Sequence, residues 1–286
     1  MMPLIHKTRR LKAMKNKTRS SKNGGARAAY KYKSKSKPNT NIPIKDLPKD
    51  VMKYHQPKRI LMGFIRHALD NKSIRKAVKD YIEGGPKKKA VIETYGKIEN
   101  WDTSRVTDMS NLFNSTKINE DISNWDVSSV TDMSGMFYLA NVFNQDISKW
   151  DVSNVNGMMS MFLGAVSFNQ PIGGWDVSNV TNMEYMFFNA RYFNKPIGGW
   201  NVSKVTDMDG MFRDATNFNR PINKWDVSNV KNMNRMFEHN FTFRKFNKKL
   251  TTWGDKLPKN ANVRGMFDGM KPDIVKKIAP WYSTRN

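Results

Sequence analysis

Five aspartates recur in one slot of successive segments, every 24 or 25 residues: Asp102, Asp126, Asp151, Asp176 and Asp226, with Asn201 where another would stand. Carboxylates stacked a few ångströms apart either repel or share a cation, so metal binding is the first chemistry to weigh. Calcium-binding β-rolls share cations in this way, but through a glycine-rich nonapeptide that this chain lacks. An Asx-type turn explains the slot better. Each side chain then accepts from nearby backbone N–H groups, and Asn201 keeps the acceptor while losing the charge. The four histidines, His6, His55, His67 and His239, show no metal or catalytic spacing. Cysteine is absent, which removes disulfides and thiolate chemistry. The expectation is therefore no catalytic residue, no metal and no cofactor: a protein that is not an enzyme.

The other chemistry-bearing residues are cations. Residues 1–40 hold Lys7, Arg9, Arg10, Lys12, Lys15, Lys17, Arg19, Lys22, Arg27, Lys31, Lys33, Lys35 and Lys37, with no acidic residue among them. Of the net charge of +24, this arm contributes +13, residues 41–100 contribute +7 and the remainder only +4. A segment so polar cannot bury enough apolar surface to offset its ordering entropy, which predicts intrinsic disorder unless bound. Two readings stay open. The arm is a solvated or import-directing tail, or it docks on a polyanion or an acidic protein surface, releasing condensed counterions from nucleic acid in the former case. Tyr30 and Tyr32 can stack on bases.

The elements that present these residues are read from two clocks. Tryptophans at 101, 125, 150, 175, 200 and 225 keep time, and the next, Trp253, follows after 28 residues. Phe113, Phe137, Phe162, Phe187, Phe212 and Phe237 each lie twelve residues behind a tryptophan. Such a period marks one supersecondary unit stacked on copies of itself, about seven of them here. The core is expected to be columns of Trp125, Trp150, Trp175, Trp200 and Trp225 and of Phe137, Phe162, Phe187, Phe212 and Phe237. Met133, Met136, Phe137 and Ala140 have helical spacing, with Thr131 placed to cap them, and Phe143 to Ile147 alternates like a strand. The Asn after each second phenylalanine (Asn144, Asn169, Asn194, Asn219, Asn247) is expected to form a ladder. Tyr138, Leu163, Phe188, Arg213 and Glu238 vary at one slot, as do Gln145, Gln170, Lys195 and Arg220 at another. Both slots are expected to face outward and carry recognition.

The segments WDVSNVTNM, MF and FNQPI resemble the 25-residue repeat of BspA-like leucine-rich-repeat surface proteins, found in mycoplasmas, other bacteria and giant DNA viruses. The resemblance covers about residues 98 to 270. It implies an α/β repeat fold, a leucine-rich-repeat-like solenoid with short parallel strands and short helices, used for binding. It brings no catalytic residues.

The predicted organisation is a basic arm (1–40), a helical capping region (41–97), the solenoid (98–270) and a C-terminal cap (271–286). In the capping region residues 57–83 read as helical, with Ile60, Leu61, Phe64, Ile65, Ala68 and Leu69 forming one apolar face. Ser73, a helix-start residue type, precedes a second at Ile74, Ala77, Val78, Tyr81 and Ile82, Gly84–Lys89 ends it, and Val91–Tyr95 supplies a first strand. Asp273–Ile278 reads as a short helix, with Pro280, Trp281 and Tyr282 as a lid. The N-terminus has no apolar run of signal-peptide length and nothing later reaches membrane-spanning length, so a virion or intracellular location is expected. The leading functional expectation is a structural or interaction protein held by its arm in a larger assembly, such as a giant-virus particle, through protein partners. Nonspecific binding of DNA or RNA by the arm, and surface adhesion, are the alternatives.

Overall fold

A computed structural model describes residues 67–239 and 246–285. The basic arm and Ile60, Leu61, Phe64 and Ile65 lie outside the described residues; Ala68 and Leu69, expected on the same helical face, precede the first helix in non-helical chain, where Leu69 is buried and its N–H donates to the Asp102 carbonyl at 2.8 Å. The first element is α1, Asn71–Glu83, whose buried residues Ile74, Ala77, Val78 and Tyr81 make one stripe. Asp70, not Ser73, is its N-cap. The Asp70 carboxylate accepts from the Ser73 N–H at 2.8 Å, and the Ser73 hydroxyl accepts from the Asp70 N–H at 2.8 Å, a reciprocal capping box. Gly84, at φ 81°, ends the helix, and Pro86 in the first turn starts α2, Gly85–Tyr95. The expected strand at Val91–Tyr95 is therefore the second half of a helix.

Beyond α2 the repeats stack in parallel register. Single parallel bridges join Asp108 to Asp132, Asp132 to Gly157, Gly157 to Asn182, Asn182 to Asp207, Asp207 to Asn232 and Asn232 to Asn262. The expected helix at Met133–Ala140 and the expected strand at Phe143–Ile147 do not form. Over the first stretch, backbone N–H groups alternate in destination. Met136, Tyr138 and Ala140 donate back three residues to Met133, Gly135 and Phe137, whereas Met133, Gly135, Phe137 and Leu139 donate forward to Gly157, Met159, Met161 and Leu163 of the next repeat. Left-handed residues make this alternation possible, here Gly135 at φ 62° and Leu139 at φ 54°. Each breaks the helical run and turns the amide toward the neighbour. The same two slots are left-handed at Ser160 and Gly164, Tyr185 and Asn189, and Gly210 and Asp214. The i, i+3, i+4 spacing is real, but it reports a row of tight turns. Phe143–Ile147 has no ladder of its own; the bridges lie earlier in the repeat.

The interior is built from aligned rings. Phe113, Phe137, Phe162, Phe187, Phe212, Phe237 and Phe267 stack with centroids 5.5 to 5.7 Å apart. A second column, Phe143, Phe168, Phe193, Phe218 and Phe246, steps by 6.0 to 6.1 Å. Both spacings are those of offset stacking. The tryptophans are buried and each interior indole N–H donates to a carbonyl one repeat back: Trp125 to Ile98 at 2.9 Å, Trp150 to Ile122 at 3.2 Å, and Trp175, Trp200 and Trp225 to Ile147, Ile172 and Ile197 at 3.1 Å. The ring thus serves packing and the N–H fixes register.

The seventh repeat carries the short helix α3, Trp253–Lys256, and is followed by α4, Pro272–Ile278. The Trp281 indole N–H donates to the Leu250 carbonyl at 2.8 Å, the bond that every interior tryptophan makes to the preceding repeat. Tyr282 meets Phe267 edge-on at 5.0 Å. Arg285 donates to the carbonyls of Gly254, Leu257 and Pro258.

Candidate interaction surface

The repeated acids sit where a turn needs them. Asp102, Asp126, Asp151, Asp176 and Asp226 each accept from the N–H of the serine two residues on at 3.0 to 3.2 Å, and Asn201 does the same for Ser203 at 3.2 Å. Hydrogen bonding to the serine side chain and then to its backbone holds Asp151, Asp176 and Asp226 below the ordinary carboxylate pKa of 3.8. Among the described residues no group of three or more His, Asp or Glu side chains is placed to hold a metal ion. The asparagines form a second column. The N–H groups of Asn144, Asn169, Asn194, Asn219 and Asn247 each donate to the Oδ1 of the corresponding asparagine one repeat earlier, starting from Asn119.

The core residues singled out in sequence, Trp125, Trp150, Trp175, Trp200 and Trp225 with Phe137, Phe162, Phe187, Phe212 and Phe237, are all buried. The thirteen arm cations, Lys7 to Lys37, lie outside the described residues.

The slots read as outward-facing divide. After the asparagines, Gln170 donates to the Asn144 carbonyl at 2.7 Å and Arg220 to the Asn194 carbonyl at 2.8 Å, so that slot ties repeats together rather than standing free. The slot behind the MF pair gives a side face with two halves. Tyr138, Leu163 and Phe188 lie in successive repeats, half-buried and in register, since Leu139 donates to the Leu163 carbonyl and Gly164 to that of Phe188. Around them Leu139, Val142, Met159 and Tyr192 are exposed, Tyr192 at 59%. In the next repeats the same slot becomes ionic. Arg213 lies over the Phe188 ring at 5.2 Å and pairs with Glu238 at 3.1 Å, which Arg235 approaches to 3.7 Å. Tyr185 leans across Gly210, where an added Cβ would lie 2.4 Å from the ring. Burial, then Asp209 and Glu184, push the Tyr185 hydroxyl above its ordinary pKa, and burial, then Asp207 and Asp209, raise that of Glu184.

An apolar patch that ends in a compensated charge cluster is what a protein-binding face offers: rings to bury and fixed charges to set orientation. Leu139, Val142, Met159 and Tyr192 were not singled out in sequence. Leu139 sits at a left-handed turn position and Met159 next to one, while no sequence signal marks Val142 or Tyr192.

A family profile matches residues 87–191 and 170–281, together more than half of the chain. The chain belongs to the family described as Mycoplasma protein of unknown function, DUF285. No curated protein and no solved structure matches it. The two matches of the DUF285 profile overlap over 170–191, as a unit that slides along a repeating sequence would. The matched span begins within α2, so the DUF285 region takes in the repeats and part of the N-terminal helical pair. Among the described residues no helix is long and apolar enough to cross a membrane.

Proposed function

We propose that this DUF285 chain is a non-enzymatic interaction protein, a leucine-rich-repeat-like solenoid related to BspA-like repeat proteins, which serves as a structural component of a larger assembly of the virion type. The observation that carries this reading is the side face. Its core-facing slots hold the same residue types in repeat after repeat, while Tyr138, Leu163, Phe188, Arg213 and Glu238 change along one row and are flanked by exposed Val142, Met159 and Tyr192. A rigid stack with one varied, partly apolar row gives shape and chemistry to bind a protein, and among the described residues no group of three or more His, Asp or Glu side chains is placed to hold a metal ion.

The test is mass spectrometry of purified native particles or complexes with crosslinking through lysines beside the face. Stoichiometric recovery with crosslinks from Lys195, three residues after Tyr192, to one neighbour supports the reading. A Tyr192→Glu/Met159→Glu chain that folds normally yet keeps the same neighbour at the same yield overturns the role of this face.

A second reading rests on the arm, with its thirteen cations and no carboxylate. There the chain associates with nucleic acid without sequence preference. Its affinity for duplex DNA would fall with salt at a log–log slope of about −0.9 per phosphate neutralised. Arm crosslinks to nucleic acid in place of protein would move the assignment to this reading.

A further inference from the structure

At each of the six junctions between repeats, four backbone N–H groups of one repeat donate to four carbonyls of the next, all in the same direction. The same positions in the seventh repeat are Val263, Gly265, Phe267 and Gly269. Among the described residues these four N–H groups donate to nothing. The closing segment makes no hydrogen bond to them, although Tyr282 packs on the Phe267 ring and Val263 and Phe267 are each 3% exposed. Its bonds go to Leu250, Gly254, Leu257 and Pro258. Gly265 and Gly269 keep the left-handed φ of +61° and +81°, so the turn row holds its form past its last partner.

The first repeat is treated differently. There α1 stands where a preceding repeat would. Arg75 donates to the Ser110 carbonyl at 2.6 Å and pairs with Asp108 at 2.9 Å, and Asn71 accepts from the N–H groups of Thr107 and Asp108. A second copy cannot bring its own carbonyl row onto the open edge while α1 covers that row. The helix works as a block on head-to-tail growth.

We infer that the edge from Val263 to Gly269 is a docking edge for an acidic segment of a partner protein, bound through its backbone carbonyls as one more rung set of the stack. What fits is shown within the chain, where Asp207, Asp209, Met211 and Arg213 offer their carbonyls to the preceding repeat. That segment, residues 205–214, holds three aspartates and one arginine. The acidic preference follows from charge. Residues 246–285 carry nine Lys and Arg against three Asp; within the edge itself Arg264 and Asp268 are both exposed, so the excess of cations lies in the residues flanking it. Backbone capture at an unpaired edge supplies affinity, and the flanking charge selects the partner. This inference does not depend on the side face described above.

The experiment uses the full chain, isotope-labelled for NMR, titrated with a peptide of residues 205–214 blocked at both ends. The amides of Val263, Gly265, Phe267 and Gly269 are expected to shift together and to exchange with solvent about ten-fold more slowly at saturation. Arg264→Glu/Lys271→Glu is expected to weaken binding about ten-fold without altering the free chain's spectrum elsewhere. Absence of shifts at these four amides at millimolar peptide overturns the proposal, as does binding that maps to another surface. Protection of the four amides in the free chain equal to that of Met208, Gly210, Phe212 and Asp214 also overturns it, and sedimentation would then show whether a second copy covers the edge.

Discussion

The interior repeats and the seventh repeat share the Trp and Met-Phe anchors, yet they live under different constraints. Phe187 has a ring above it at 5.7 Å and one below at 5.6 Å, whereas Phe267 has Phe237 on one side and the edge of Tyr282 on the other. Trp225 donates to the Ile197 carbonyl, whereas the buried Trp253 Nε1 has no hydrogen-bond partner among the described residues. A stack fixes a residue fully only when it has neighbours in register on both sides. Across the 28-residue step the four backbone rungs and the Asn247–Asn219 bond persist, and the indole bond of Trp253 does not.

The largest expected contrast is in ring deletion. Phe187→Ala opens a cavity inside both a column and its cross-contact with Phe193, and is expected to cost about 3–5 kcal/mol; Phe267→Ala, where Tyr282 can settle inward, is expected to cost roughly half as much. Urea unfolding of the two variants checks this, and equal losses would break the comparison.

Next comes added bulk at glycine. A Cβ on Gly173 would lie 2.2 Å from the Pro196 carbonyl oxygen of the next repeat, which is backbone and cannot swing away. At Gly254 the first atoms met are side-chain atoms of Trp281, at 2.8 Å. Gly173→Ala should destabilise by about 1–3 kcal/mol, and Gly254→Ala by less, with a change in Trp281 fluorescence as the side chain shifts.

The indole pair gives a finer test. Trp225→Phe leaves the Ile197 carbonyl without its donor and should cost about 1–3 kcal/mol for the polar loss alone. Trp253→Phe removes a buried donor that bonds to nothing, so its polar contribution should be near zero. Thermal unfolding of the two variants separates them.

The smallest effect concerns acid. Asp151, Asp176 and Asp226 have folded pKa values below the ordinary 3.8, so their turn bonds stabilise the interior above that pH. The contribution falls away as pH drops through the folded values. The seventh repeat has Gly254 in this slot and no carboxylate to lose. Between pH 5 and 2, amide exchange should rise in the turns at Ser153, Ser178 and Ser228 more than in that at Lys256. The Asp→Asn substitutions at 151, 176 and 226 should flatten the response, as Asn201 already does in its own repeat.

Much of the stack was legible in the sequence because the period fixes which residues meet. The Trp and Phe columns and the Asx turns follow from residue type and a 25-residue step. The backbone of the repeat did not. Met133, Met136, Phe137 and Ala140 have helical spacing, and nothing in their side chains announces that Leu139 takes a left-handed φ. The energetic reason lies in the neighbour: an amide turned outward finds a carbonyl one repeat away, and four such bonds per junction outweigh a helical turn that would satisfy each repeat alone. Ser73 misled for a local reason, since both Asp70 and Ser73 can cap and the box uses both. The side face was half legible. Tyr138, Leu163, Phe188, Arg213 and Glu238 stood out by their variation, but Tyr192 and Met159 gain meaning only from exposure, and Lys195 and Arg220 shared a slot that proves to be structural.

The one-way rungs have an electrical consequence. Four peptide groups per junction point their N–H toward the C-terminal end, while the bridge strand returns fewer backbone bonds the other way: one from Thr131 to Thr107 and its equivalents, a longer second one from Gly157 to Thr131 and from Asn232 to Thr206, and a further one from Ser167 to Asn141 and its counterparts in two later junctions. The excess leaves a net dipole along the array, as aligned peptides do along a helix, with its positive pole at Val263–Gly269 and its negative pole at the first repeat. Arg75 at the negative pole is placed with this field. The cations gathered around the last repeat are placed against it, and an approaching anion there would be drawn by both.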